Sequence, residues 1–321
     1  MKRNTHHFHP YNEQKSIQSK ILHWVFPTKS YFPSFHYKKL PGPMPITIQR
    51  KNIHQLQDHQ YWVTEKSDGE RQMLLLDEKM GNMLINRKFQ TKPYELPSCF
   101  KPEMSVLLDG EYFETTQTFL IFDIVMFNHQ SIANEKFSIR LQKMETFVRE
   151  TKLPTQIRLK TFYPRQKLDV LLKKMETMDD GRILFHSDTG ETNECDGLIF
   201  VPENEPYLCH DIKLFKWKWT GMNTIDLLVE SQNNDDSFAL SAGGYQNQTV
   251  IITHLQKNDI YFTVFPGQIV ECNYDRTEGK WIVLNVREDK IKPNHITTVI
   301  STMETMIDNL TKEDLLAIAL I

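Results

Sequence analysis

The sequence predicts an α+β fold in two parts: a mixed domain of mainly antiparallel sheets with flanking helices, then a small β-barrel. Three observations predict it. Short β-like runs and turns alternate from about residue 61 to residue 219. Two stretches of helical apolar spacing interrupt them, at 135–150 and 166–178. After residue 222, five β runs follow one another, separated by Asn, Asp and Gly turns. The expected division is 1–222 for the first domain and 223–308 for the barrel, with a terminal helix at 309–321 docking back on the first.

Residues 1–40 mix aromatic and Lys-rich stretches and read as a loosely packed arm. LPGPMP at 40–45 favours extended backbone over helix, because proline fixes φ and restricts the residue before it. QYWVTEKSDG, RQMLLLDEKMG, MLINRKF, SVLLDGEYFE, TFLIFDIVMF, DGLIFVPE and KLFKWKW read as strands or strand ends. Between them, Phe137, Leu141, Met144 and Val148 recur at helical spacing, and so do Leu168, Leu171, Leu172 and Met175. TIDLLVE, SFALSAGG, QTVIITHL, GQIVECNYD and KWIVLNVRE supply the five barrel strands, and their number and spacing make an OB-fold the leading candidate. The tail ends as an amphipathic helix for which Thr311 is a plausible N-cap.

Composition limits the class of function. With 321 residues, 38 basic and 41 acidic side chains and a net charge of −3, the chain is not a globally cationic nucleic-acid binder, although a local basic cleft is compatible with it. Apolar residues at 40% and charged residues at 25% suffice for a sizeable core. Cys99, Cys195, Cys209 and Cys272 show neither C-x-x-C nor zinc-site spacing, and scattered thiols point to a reducing, intracellular compartment. No membrane contact is expected, since the longest apolar run, Phe119 to Phe127, is short and carries Asp123. The N-terminus has no signal-peptide apolar core, and His6, His7 and His9 read as a polar tail rather than a metal site.

No G-x-x-x-x-G-K-S/T loop and no G-x-G-x-x-G fingerprint occurs, so nucleotide chemistry here would have to use side chains. Five segments carry suitable ones. EKSDGER at 65–71 places Lys66 before an Asp-Gly turn and Arg71 after it, and a neighbouring cation favours the neutral, nucleophilic amine. LLDGEYFE at 107–114 carries Glu111, and ECDGLIFVPENEPY at 194–207 carries Asp196. Taken singly, the Asp-Gly pairs at 68–69 and 109–110 read more readily as hairpin turns, and the one at 196–197 reads as a good hairpin too. In KLFKWKW, Lys216 and Lys218 alternate with Phe215, Trp217 and Trp219, which puts both lysines on one strand face. WIVLNVREDK ends the barrel's last strand with Arg287 and Lys290. The order is what distinguishes them: a lysine, two carboxylates, a paired-lysine strand and Arg-x-Asp-Lys on a barrel match the needs of covalent nucleotidyl transfer.

With those motifs in that order, the sequence resembles the lysine-dependent nucleotidyltransferases, and among them the mRNA capping guanylyltransferases, in particular the compact enzymes of large algal DNA viruses. The resemblance runs from LPGPMPITIQRKN at 40–52 to the terminal helix and includes six ordered motifs. It implies that Lys66 attacks the α-phosphorus of GTP and holds GMP as a phosphoamide. It implies that Arg71 and Glu111 position the ribose, with Arg87 of LINRKF near sugar and phosphate. Phe122 would stack on guanine, and Lys160 of IRLKTFYPR would contact it and favour it over adenine. Asp196 would serve metal and phosphate, with Glu111 a second metal ligand, and Lys216 and Lys218 the α-phosphate. Asp226, Arg287 and Lys290 would act on a closing barrel. Arg71, Lys216 and Lys218 near Lys66 would favour its neutral form. Glu70 departs from the family, which often has an apolar residue at that position.

The function so implied is transfer of GMP from GTP to 5′-diphosphate RNA, forming GpppN with Mg²⁺ or Mn²⁺. The alternatives are an ATP-dependent polynucleotide ligase of the same superfamily and, in another class, a non-catalytic RNA-binding OB module. No H-C-x₅-R phosphatase loop and no glycine-rich methyl-donor motif is present. RNA triphosphatase and cap methyltransferase are therefore expected as other chains or domains, with the transcribing RNA polymerase a further partner. The location expected from that function is the nucleus, or a viral replication compartment.

Overall fold

A computed structural model describes residues 11–27, 39–97, 104–232, 237–256 and 260–319. His6, His7, His9 and Cys99 lie outside the described residues. Two compact units divide the chain: Met1–Ile46 with Gln55–Trp217 and Ala319–Ile321, and Thr47–His54 with Lys218–Ile318. The division thus falls at Trp217/Lys218, and nearly all of the final helix groups with the second unit rather than the first.

The first unit opens with α1 (Tyr11–Val25), β1 (Ile46–Thr47), α2 (Gln55–Asp58), β2 (Tyr61–Ser67), β3 (Glu70–Leu76), β4 (Met83–Ile85) and β5 (Thr91–Pro93). It continues with β6 (Val106–Phe113), β7 (Thr118–Phe127), β8 (Gln130–Ser131), α3 (Phe137–Glu150), β9 (Ile157–Leu159) and β10 (Tyr163–Pro164). α4 (Leu168–Leu172), β11 (Met175–Thr177), β12 (Ile183–His186), β13 (Thr192–Pro202) and β14 (Phe215–Lys218) complete it. One sheet runs β1-β14-β13-β12-β11, with β2 also paired to β13 and β10 to β2. The other runs β5-β4-β3-β6-β7-β8, with β9 added parallel to β7.

That second sheet is covered on both faces. Leu74, Leu76, Leu108, Phe119 and Ile121 face α3 through Phe137, Leu141, Met144 and Phe147. Met73, Leu75, Leu107, Val125 and Met126 meet Ile17, Ile21, Leu22 and Val25 of α1 on the opposite side. Burial on both sides is why β3 and β7 read as continuous apolar runs rather than alternating ones. Asp123, the charge inside the β7 run, is neutralised by buried Arg140 of α3: Nε donates to Oδ1 at 2.7 Å and Nη2 to Oδ2 at 2.9 Å.

Three local expectations are corrected. Residues 11–25 of the expected loose arm form α1, because Ile17, Ile21, Trp24 and Val25 bury one helical stripe. The helix expected at 166–178 stops at Leu172, and Met175–Thr177 pairs with β12. The Asp-Gly pairs are not hairpin turns: Asp68-Gly69 carries the chain from one sheet to the other, while Asp109-Gly110 and Asp196-Gly197 lie inside β6 and β13 at irregularities of register.

The second unit contains β15 (Ile225–Gln232), β16 (Ser237–Gly243), β17 (Thr249–Gln256), β18 (Ile269–Asp275), β19 (Lys280–Val286), α5 (Ile296–Asp308) and α6 (Lys312–Ala319). Its strand order, β17-β16-β15-β18-β19, is that of an OB barrel open between its third and fifth strands. The terminal helix expected at 309–321 is α6, and a further helix not expected from the sequence, α5, precedes it; the two are separated at Asn309, whose φ of 46° is left-handed. Thr311 caps α6: Asp314 N donates to Thr311 Oγ1 at 3.2 Å, and Thr311 N donates to Asp314 Oδ2 at 2.9 Å. Asp314 also takes Arg50 Nη2 at 2.6 Å, which ties 47–54 to this unit.

Candidate active site

A cavity of ≈ 240 Å³ opens in the first unit between its two sheets. Lys66, Arg71, Arg87, Glu111, Phe122, Lys160 and Lys216 all line it, as do Thr64, Ser67, Ile199 and Tyr207. Seven residues chosen from scattered sequence motifs thus share one chamber.

Lys66 lies at the end of β2, opposite Gly197 of β13. The β-bulge between Cys195 and Gly197 turns Asp196 toward it, and Lys66 Nζ donates to Asp196 Oδ1 at 2.7 Å. The immediate neighbour of the amine is therefore a carboxylate, not the cations expected there. Arg71 is itself neutralised: its Nε and Nη2 bind Asp109 Oδ1 and Oδ2 at 3.1 and 2.5 Å. Its Nη1 donates to Pro43 O at 2.6 Å, and its guanidinium lies 5.5 Å from the centre of the Phe122 ring. Burial opposes the Arg71 charge, but Asp109 overrides it and raises the pKa.

Asp109 is fully buried and also accepts the Tyr207 hydroxyl at 2.7 Å. Burial first, then Asp109, pushes the Tyr207 hydroxyl well above the ordinary tyrosine value, so it serves as a donor. Neither residue was picked from sequence; an Asp two residues before Glu111 on a β run was the available signal, since period two puts both on one face. Glu111 sits opposite Arg71 in register, and burial pushes its carboxyl up to about 7 despite Lys160, Lys66 and Arg71. Gly69 leaves little room for a side chain, since a Cβ would lie 2.8 Å from Glu111 Cγ and 3.0 Å from Tyr112 O and would push on the Glu111 side chain. Glu70, the departure from the family, is exposed and accepts Gln72 Nε2, and its exposure explains why a charge is tolerated there.

Lys160 follows β9, and its backbone N donates to Ile121 O at 2.9 Å. Its Nζ donates to the backbone O of Glu65 at 2.9 Å and stands 3.3 Å from Glu65 Oε1. In β14, Phe215 and Trp217 are buried and Lys216 and Lys218 half-buried, the predicted alternation. Lys216 lines the cavity; Lys218 is not among its lining residues.

Asp226, Arg287 and Lys290 belong to the second unit and form a cluster of their own. Arg287 Nη1 donates to Asp226 Oδ1 at 3.1 Å, and its Nε to Asp289 Oδ1 at 2.9 Å. Burial raises the Asp226 carboxyl, with Arg287 and Lys290 opposing.

For a divalent cation, the cavity lining offers Glu111, and Asp196, not itself a lining residue, stands beside Lys66; they form no cage. Among the described residues no group of three His, Cys, Asp or Glu is placed to hold a metal. Glu111 and Asp196 are hard oxygen donors, which fits Mg²⁺ held by one or two carboxylates plus substrate phosphates.

Residues 5–220 match the family model described as mRNA capping enzyme, catalytic domain, and residues 211–316 match mRNA capping enzyme, C-terminal domain. A mouse mRNA-capping enzyme is 28% identical over 304 residues, covering 85% of this chain and 48% of that one. A zebrafish mRNA-capping enzyme is 26% identical, covering 89% and 50%. The mRNA-capping enzyme subunit alpha of Schizosaccharomyces pombe is 27% identical, covering 86% and 79%. This chain spans about half the length of the two animal relatives. A solved mycobacterial DNA ligase D complexed with ATP and MES aligns with a TM-score of 0.46 at 14% identity, covering 77% of this chain and 94% of that chain. With both family models matched in sequence order over the cavity-bearing unit and the barrel, the chain belongs to the mRNA capping enzyme family.

Proposed function

We propose that this chain is a GTP:RNA guanylyltransferase, and the observation that carries the reading is Lys66 Nζ at 2.7 Å from Asp196 Oδ1 at a cavity lined by Arg71, Phe122, Lys160 and Lys216. In the first half-reaction Lys66 Nζ bonds to the α-phosphorus of GTP, the bond to the bridging oxygen breaks, and pyrophosphate leaves with the electron pair. The ammonium must first lose its proton, and Asp196 is placed to take it. In the second half-reaction the terminal oxygen of a 5′-diphosphate RNA attacks the same phosphorus. The N–P bond breaks, GpppN forms, and Lys66 recovers a proton.

The other residues orient and stabilise. Phe122 stacks on the base, Lys160 reads it, Arg71 and Glu111 hold the ribose, and Arg87 lies near the sugar and phosphate. Lys216 and Lys218 balance charge on the α-phosphate. Asp226, Arg287 and Lys290 serve the pyrophosphate side of GTP. Mg²⁺ or Mn²⁺, held by Glu111 and Asp196, would supply neutralisation of phosphate charge. RNA triphosphatase and cap methyltransferase as other chains or domains, an RNA polymerase partner, and a nuclear or viral replication compartment follow from the same proposal.

The test is incubation with α-labelled GTP and Mg²⁺ followed by denaturing electrophoresis. The expected outcome is a band from α-labelled but not γ-labelled GTP, stable to alkali and lost in acid, absent in Lys66→Ala and Lys66→Arg. Arginine fails because its guanidinium stays charged and is not nucleophilic. A label that survives Lys66→Ala would overturn the assignment. Running ATP beside GTP separates the capping reading from the ligase reading.

A further inference from the structure

We propose that Glu65 is the positioning residue through which Lys160 chooses guanine over adenine, an inference that rests on Lys160 reading the base. In β2, Thr64, Lys66 and Ser67 line the nucleotide cavity, while Glu65 does not. Glu65 lines a second cavity of ≈ 340 Å³, and Lys160 lines both. The charged group that links Glu65 to the nucleotide cavity is Lys160.

The link between them is short and dry. Lys160 Nζ donates to Glu65 O at 2.9 Å and lies 3.3 Å from Glu65 Oε1, with the two side chains 4% and 1% exposed. One ammonium donor is taken by the Glu65 backbone O and the carboxylate pairs with the same ammonium by charge, so donors remain for a ligand. The carboxylate is itself held from both sides of the nucleophile: Thr64 Oγ1 donates to Oε2 at 2.6 Å, and Ser67 Oγ donates to Oε1 at 3.1 Å. Asn193 Nδ2 in turn donates to Ser67 Oγ at 3.4 Å.

An ammonium donates and cannot accept. Guanine offers an acceptor oxygen at position 6, where adenine offers an amino donor. An ammonium held in one direction rewards the first and rejects the second; one free to swing away from the base discriminates less. A buried ion pair is weak evidence for stability, since apolar replacements are often neutral. Its place in the wall of the base pocket gives it a reason to be there.

The experiment compares adduct-forming efficiency with GTP, ATP and the triphosphate of 2-aminopurine riboside, which keeps the 2-amino group but carries hydrogen at position 6. Glu65→Gln should lower the preference for GTP over both competitors by roughly tenfold, the scale of one base contact. Lys160→Ala should lower it at least as far, and the double variant no further than Lys160→Ala alone. An equal loss with all three nucleotides in Glu65→Gln would make the role merely structural and overturn the proposal. If Lys160→Ala abolishes the preference and Glu65→Gln does not, Glu65 alone fails; if Lys160→Ala leaves it intact, the base reading fails and Glu65 with it. Should Glu65→Gln not fold by circular dichroism, Glu65→Asp, which keeps the charge but withdraws it by one methylene, is expected to give a smaller fall in the same ratio, and an unchanged ratio in that variant would overturn the proposal.

Discussion

Asp109 carries much of the organisation of the first unit at the scale of single side chains. It has no exposed surface and receives two bonds from Arg71 and one from Tyr207. Removing one partner of a buried pair strands the other charge, so Asp109→Ala should cost about 3–5 kcal/mol in urea unfolding. Adduct formation should fall too, because Arg71 is no longer aimed over Phe122. Glu111 gives a pH signature. Burial raises its carboxyl from 4.5 to about 7, so between those values the folded chain keeps a proton that the unfolded chain has lost. Stability should therefore fall as pH rises through that window, by on the order of 3 kcal/mol from this group. Glu111→Gln should flatten that part of the stability–pH curve, measured by denaturant titration at pH 4.5, 5.5, 6.5 and 7.5 (values spanning the roughly 4.5-to-7 window).

Secondary elements are tuned where strands depart from regular pairing. The bulge in β13 turns Asp196 toward Lys66, and the irregularity in β6 falls between Asp109 and Gly110, one residue before Glu111. Gly110 has no room for a side chain: a Cβ would meet the Phe119 ring at 2.5 Å and Leu120 O at 2.6 Å. Gly110→Ala should thus destabilise by about 1–3 kcal/mol through overpacking. Reduced adduct formation should accompany it, since Asp109 and Glu111 flank the displaced backbone. α1 makes a different prediction. Ile21 and Leu22 are fully buried against the β3–β4 face, so Leu22→Ala should cost about 2–5 kcal/mol. That loss should appear in the unfolding midpoint, with GTP preference over ATP unchanged, because α1 covers the face of the sheet opposite α3 and contributes no residue to the cavity.

At the scale of the whole molecule, the proposed chemistry is divided between two units. The first holds the lysine, the cavity and most of the side chains assigned to the nucleotide; the second holds Asp226, Arg287 and Lys290. In the proposed reaction, pyrophosphate is present in the first half-reaction and absent from the second. A cation that serves it should matter to the first only. Lys290→Ala is therefore expected to impair lysyl-GMP formation far more than transfer from preformed adduct to diphosphate RNA. The measurement is to drive the variant to adduct with time and excess enzyme, remove GTP, add RNA and follow loss of label. Equal damage to both steps would assign Lys290 to the fold or the RNA instead.

The sequence by itself determined the fold class, the five barrel strands, α3, and seven of the side chains that line the cavity. It could do so because those features are local: strand alternation in KLFKWKW, helical spacing at 137–148 and the order of motifs are written along the chain. What only the tertiary structure decided is the pairing of charges. Lys66 meets Asp196, Arg71 meets Asp109, Asp123 meets Arg140, and Lys160 meets Glu65. Each pair joins different elements, so no periodicity reports it. The same holds for α1 and for the three Asp-Gly pairs. A sequence of that kind is compatible with a hairpin turn, a sheet-to-sheet crossing or a bulge, and the backbone partners available across the sheets select among them. α1 could not be told from a loose arm until the apolar face of the β3–β4–β6–β7 sheet was there to bury its stripe, since an isolated helix of that length gains too little to form in water.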